Sequence, residues 1–151
     1  MGVASIALLA LAACGGGDES PAQTTEGPLL SVSGADYSFD APDTIAAGQT
    51  TLQFTNEGQE VHELHVMRFN EGASIHQFQG TVHQGEGLEA ALQMVTAVDH
   101  VATIGPGQSA EGAVELPKGD YLLICLIPSP CDGVAHAVKG MVKPLTVTAA
   151  R

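Results

Sequence analysis

The chain has 151 residues, 44% of them hydrophobic, with 17 acidic against 5 basic side chains and a formal net charge of −12. That length suits one packed domain with or without a tail, and an acidic chain lacking any Lys/Arg cluster is excluded from phosphate-backbone binding. Three cysteines are too few for a disulfide scaffold.

In chain order, residues 1–13 (MGVASIALLALAA) form an uncharged apolar run that stops at Cys14. The run is too short for a membrane-spanning helix, which needs roughly 20 residues, but suits the apolar region of a secretory signal. Leu11-Ala12-Ala13-Cys14 resembles the lipobox of bacterial lipoproteins. The resemblance implies removal of residues 1–13 and lipidation of Cys14, whereas a buried apolar helix ending in Cys is the alternative. Residues 15–28 (GGGDESPAQTTEGP) carry Gly, Ser, Thr, Pro and acids with no apolar period, so 14–28 reads as a lipidated Cys and flexible tether. The folded domain is expected over 29–151.

Strand signals then follow closely: LLSVSG, ADYSFD, DTIAAG, TTLQFTN and VHELHVMRF, each short and bounded by Gly, Pro, Asn or Asp. From Asn70 to Gly105 the texture changes. Leu88, Ala91, Leu92 and Val95 fall at helical spacing and predict a helix over 88–98 inside a polar insert. AEGAVEL, GDYLLICLI and GMVKPLTVTA close the chain as further strands. About eight strands with one short helical insert predict an all-β Greek-key sandwich.

The C-terminal hairpin carries the chemistry. Tyr121, Leu123 and Cys125 share one face of a strand because side chains alternate. The loop after Cys125 returns His136 and then Met141 just before the last strand. A thiolate, an imidazole and a thioether at one end of a sandwich are donors that copper favours. Further back, His62 begins a strand with Leu64 and Val66 on the same face, after the turn Asn56-Glu57-Gly58.

Gly119-x-Tyr121-x-x-x-Cys125, a loop, then His136-x(4)-Met141 resembles the closing hairpin of the cupredoxins, the blue type 1 copper proteins. His62 stands where that family has its first histidine. The resemblance implies a cupredoxin-like fold, copper as cofactor, and His62, Cys125, His136 and Met141 as metal ligands. It also implies an electron carrier rather than an enzyme, with His136 as electron port. Its redox partner would be a cationic protein such as a cytochrome, drawn by the acidic surface.

Two departures stand out. Ten residues separate Cys125 from His136, far more than in plastocyanin-like loops, which predicts a mobile and water-accessible site. Glu63 follows His62 where the family usually has Asn, so a carboxylate takes the position of an amide that ties the ligand loops together. His65 lies three residues from His62 and is expected on the opposite face, while His76, His83 and His100 fall in the polar insert. Cys131 has three open readings: a bystander or auxiliary residue, a disulfide partner of Cys125, or a second thiolate in a dinuclear centre.

Two functions remain in play at this level. One is a lipid-anchored copper protein at the extracytoplasmic or periplasmic face that shuttles single electrons. The other is a cupredoxin-like interaction or copper-delivery module without electron transfer. No Ser-His-Asp, P-loop or paired-carboxylate pattern supports an enzyme.

Overall fold

The computed structural model describes residues 27–84 and 87–150. The expected signal segment 1–13, Cys14 and the tether as far as residue 26 lie outside the described residues. Among the described residues, nine strands and three short helices follow in the order β1 (Leu29–Ala35), β2 (Ser38–Asp40), β3 (Thr44–Ala46), β4 (Gly48–Asn56), β5 (His62–Phe69), α1 (Ile75–His83), α2 (Gly87–Leu92), β6 (Val95–Ile104), β7 (Ser109–Leu116), β8 (Gly119–Ile124), α3 (His136–Lys139) and β9 (Val142–Thr148).

Two sheets face each other, ordered β2-β1-β4-β7 and β3-β9-β8-β5-β6. Alternation within strands builds the layer between them. In β1, Leu30 and Val32 point inward; β4 runs parallel beside it and pairs Leu52 with Leu30 and Phe54 with Val32. Leu64 and Val66 of β5, Tyr121 and Leu123 of β8, and Leu145 and Val147 of β9 meet them from the second sheet. Truncating fully buried Phe54 to Ala would cost about 3–5 kcal/mol. The expected Greek-key β-sandwich is the observed architecture, as the chain repeatedly changes sheets.

The insert departs from its expected form. The helix over 88–98 ends at Leu92, and Val95 opens β6, a ten-residue strand running antiparallel to β5. An additional helix, α1, starts at Ser74, whose Oγ accepts the main-chain N–H of Gln77 as an N-cap. Together α1 and α2 cover the outer face of the second sheet, where Phe78 and Ala91 pack with Met67, Leu122 and Ile124. β8 is therefore buried on both faces: Tyr121 and Leu123 enter the central core, while Leu122 and Ile124 enter this outer cluster. No helix among the described residues is long and apolar enough to cross a membrane.

Candidate metal centre

Strand parity sets the first two donors. His62 is the first residue of β5 and falls on the inward face with Leu64 and Val66. Cys125 follows Ile124, the last residue of β8, and continues the inward row of Tyr121 and Leu123. His136 opens α3, whose four residues end at Gly140 in a left-handed conformation (φ 119°). That conformation, easy for glycine, turns the chain to Met141 and into β9.

These elements bring three donor side chains together. His62 Nδ1 lies 3.1 Å from His136 Nδ1, and Cys125 Sγ lies 3.4 Å from His136 Nδ1. All three donor atoms fall within 4.8 Å of one another, and all three residues are fully buried. Met141 is also fully buried and packs in the same core cluster as Cys125. Its carbonyl accepts the Cys125 N–H (3.2 Å), and its own N–H donates to the His136 carbonyl (2.9 Å).

The ten-residue loop is closed off rather than open. The His136 N–H donates to the Ile127 carbonyl and the Ala137 N–H to the Cys125 carbonyl, both at 2.9 Å. Pro128 and Ala135 form an antiparallel bridge, and Ser129 N–H donates to Val134 C=O. The chain from Pro128 to Ala135 thus folds back on itself as a side branch. Along the hydrogen-bonded path, only Leu126 and Ile127 separate Cys125 from His136. The expectation of a water-accessible site is corrected accordingly, since Cys125 and His136 are both fully buried, the His136 ring included.

A ring of carboxylates and amides, which sequence reasoning missed except for Glu63, holds the donors. His62 Nε2 lies 3.1 Å from Asp36 Oδ1, and His136 Nε2 lies 2.8 Å from Glu60 Oε2. Asp36 also accepts the N–H groups of Gln59 and Glu60. Glu60 accepts the Tyr37 hydroxyl at 2.9 Å, and the Tyr37 ring packs edge-on against His136 with centroids 5.3 Å apart. Buried Asn56 donates to the Glu60 and Ile104 carbonyls and accepts the Gly58 N–H, which fixes the turn before His62. Glu63 supplies the tie expected of an amide in another way. Its N–H donates to Cys125 Sγ (3.5 Å), and its Oε1 accepts the Leu126 N–H (3.1 Å).

This ring decides what the cluster can hold. Carboxylates only accept hydrogen bonds, so each histidine Nε2 carries the proton and both Nδ1 atoms present lone pairs. Two lone pairs and a thiol therefore converge in a buried space whose only shared proton belongs to Cys125. A cation resolves that excess of donors, and the imidazole and thiolate set fits copper. Burial, partly offset by Asp36, pushes the His62 pKa down and favours its neutral form. Burial likewise pushes the Cys125 thiol up, against the hydrogen bond from the Glu63 amide. A metal at Sγ would displace that proton. For Asp36 and Glu60, burial works upward, but their hydrogen bonds prevail and hold both carboxyls below the ordinary range.

Cys131 is exposed and outside this cluster, and the thiols of Cys125 and Cys131 are both free. His65 occupies the face opposite His62, as expected, where it stacks on His100 with ring centroids 4.4 Å apart. His76 and His83 are exposed on α1.

The fold is that of the cupredoxins, the small β-sandwiches to which the blue copper proteins belong. Reduced auracyanin from the photosynthetic bacterium Roseiflexus castenholzii superposes with a TM-score of 0.54 at 17% identity, over 81% of this chain and 98% of its own. Auracyanin A, a "blue" copper protein of the green thermophilic bacterium Chloroflexus aurantiacus, gives 0.52 at 20% identity, over 81% and 100%. Auracyanin B gives 0.51 at 24% identity, over 82% and 91%. No family model and no curated protein matches the sequence.

Proposed function

We propose that this protein is a type 1 copper protein that carries single electrons between redox partners. His62, Cys125 and His136 would hold the metal, with the Met141 thioether as a fourth donor. The observation that carries this reading is the buried convergence of two Nδ1 atoms and one Sγ, with both Nε2 atoms engaged by carboxylates. Copper bound there would supply a one-electron couple. The chain's part is to keep the donors fixed: β5 and β8 hold His62 and Cys125, and the pinched loop holds His136. Little rearrangement on gain or loss of an electron follows from that rigidity.

Acidic Asp36 and Glu57 stand exposed or half-exposed beside this end and support a cationic partner such as a cytochrome. The Leu11–Cys14 box supports an exported protein lipid-anchored at the extracytoplasmic or periplasmic face. The complete burial of His136 favours a second reading, a copper-holding or delivery module without electron transfer.

Adding Cu(II) to reduced protein under anaerobic conditions should give an intense visible thiolate-to-copper band and a narrow EPR hyperfine splitting. Cys125→Ser should abolish both while the sandwich stays folded. No copper uptake by protein with a free Cys125 would reject the site. Uptake without reversible reduction, or without electron exchange with a cytochrome, would select the delivery reading.

A further inference from the structure

A second cluster of donors lies on the opposite face of β5. Glu63 and His65 alternate with the buried row His62, Leu64 and Val66, so both point away from the central core. The pairing of β5 with β6 shifts between Leu64 and His65: Leu64 pairs with Ala102, and His65 pairs with His100, passing over Val101. That bulge puts His100 directly across from His65, and the two rings stack with an interplanar angle of 25°.

Both imidazoles address the same carboxylate. His65 Nε2 lies 3.1 Å from Glu63 Oε1, and His100 Nε2 lies 3.8 Å from Glu63 Oε2. Three donor atoms, one from each residue, fall within 4.8 Å of one another. Donors around a tetrahedral zinc ion at about 2.0–2.1 Å stand about 3.3 Å apart. The His65–Glu63 pair already meets that spacing, and the half-exposed His100 has room to close in. The carboxylate is anchored from behind, since Oε1 also accepts the Leu126 N–H. The Thr103 hydroxyl lies 3.4 Å from His100 Nε2 at the rim. A surface ion pair would need only one of these histidines.

We propose that Glu63, His65 and His100 form a second, solvent-facing site for a divalent cation of the zinc class. Two imidazoles and a carboxylate suit zinc, which binds such sets with a further position left to water. The site adjoins the buried cluster through Glu63, whose main-chain N–H donates to Cys125 Sγ, but its three donor side chains lie on the opposite face of β5, and the proposal does not depend on copper being held there.

The test is a Zn2+ titration of the metal-free full chain, followed by calorimetry and by NMR of the imidazole nitrogens. A saturable event should shift the His65 and His100 Nε2 resonances together. His65→Ala and His100→Ala should each weaken it by roughly tenfold or more, since losing a ligand costs at least as much as losing an outer partner. Cys125→Ser should leave this event in place, which separates it from any Zn2+ taken up by the buried cluster. Absence of binding, binding that leaves the two resonances unmoved, or binding unchanged in both alanine variants would overturn the proposal. Loss of all binding in Cys125→Ser would overturn it too.

Discussion

Glu60 and His136 are 76 residues apart in the chain, yet Glu60 Oε2 sits 2.8 Å from His136 Nε2 and covers the one ring nitrogen that does not face the donor cluster. The contact fixes the tautomer of His136 and thereby the lone pair aimed at the metal position. Glu60→Gln keeps the shape but loses the charge and the acceptor-only character. Competition against a copper chelator should show an affinity loss of roughly 10–100-fold with an unchanged circular dichroism spectrum. Unaltered affinity would mean that Glu60 does not orient His136.

Gly58 has no room for a side chain. A Cβ there would lie 2.3 Å from Asp36 Oδ1 and 2.6 Å from His62 Nε2. Gly58→Ala should therefore push Asp36 off His62, lower stability by about 1–3 kcal/mol and weaken copper binding in the same variant. Chemical denaturation and copper titration check the two effects. A variant with native stability and native copper affinity would contradict the crowding.

Protonation of His62 links stability to pH. Because burial lowers its folded pKa, its stabilising contribution is present above the unfolded value of about 6.5 and is lost as pH falls through the folded pKa. Asp36 and Glu60, also lowered, add a second loss below about pH 4.5. The melting temperature of the metal-free protein should drop in two stages on acidification. His62→Gln should flatten the first stage and spare the second; an unchanged first stage would assign it to another group.

The two free thiols should differ in reactivity. Cys131 is exposed, whereas Cys125 is buried with a raised pKa, so little nucleophilic thiolate forms there at neutral pH. Alkylation of the native metal-free protein should label Cys131 first, and mass spectrometry of the peptides would read the order. Equal labelling rates would show that the cluster opens readily to solvent.

Replacing Ser129–Val134 with Asn-Gly would shorten the side branch to a two-residue hairpin between Pro128 and Ala135. Because the Ile127–His136 and Cys125–Ala137 hydrogen bonds lie outside the replaced segment, the visible copper band should persist. Its disappearance would show that the branch itself positions His136.

Strand parity made much of this legible. Alternation alone put Cys125 in line with Tyr121 and Leu123, and His62 in line with Leu64, as the core confirms. The 88–98 segment misled because Val95 falls at helical spacing from Leu88, Ala91 and Leu92. Its neighbours Thr96, Val98, Val101, Thr103 and Ile104 are β-branched, a strand signal that the helical period masked. α1 did carry a helical period, Ile75, Phe78 and Val82 at i, i+3 and i+7, but with polar residues and Gly80 between them the segment reads as a polar insert. Asp36 and Glu60 left no local trace, because their partners are joined to them only by the folding of the β1–β2 turn and the β4–β5 connection onto the same end of the sandwich.

The closed branch from Pro128 to Ala135 has a consequence for how such sites diversify. Between Ile127 and His136 the molecule measures distance by contour across hydrogen bonds, so the primary sequence can lengthen there without charging the site for it. The segment is a peninsula on a short isthmus. Its tip, including exposed Cys131, can be redrawn by substitution or insertion to suit different neighbours while the ligand spacing stays constant.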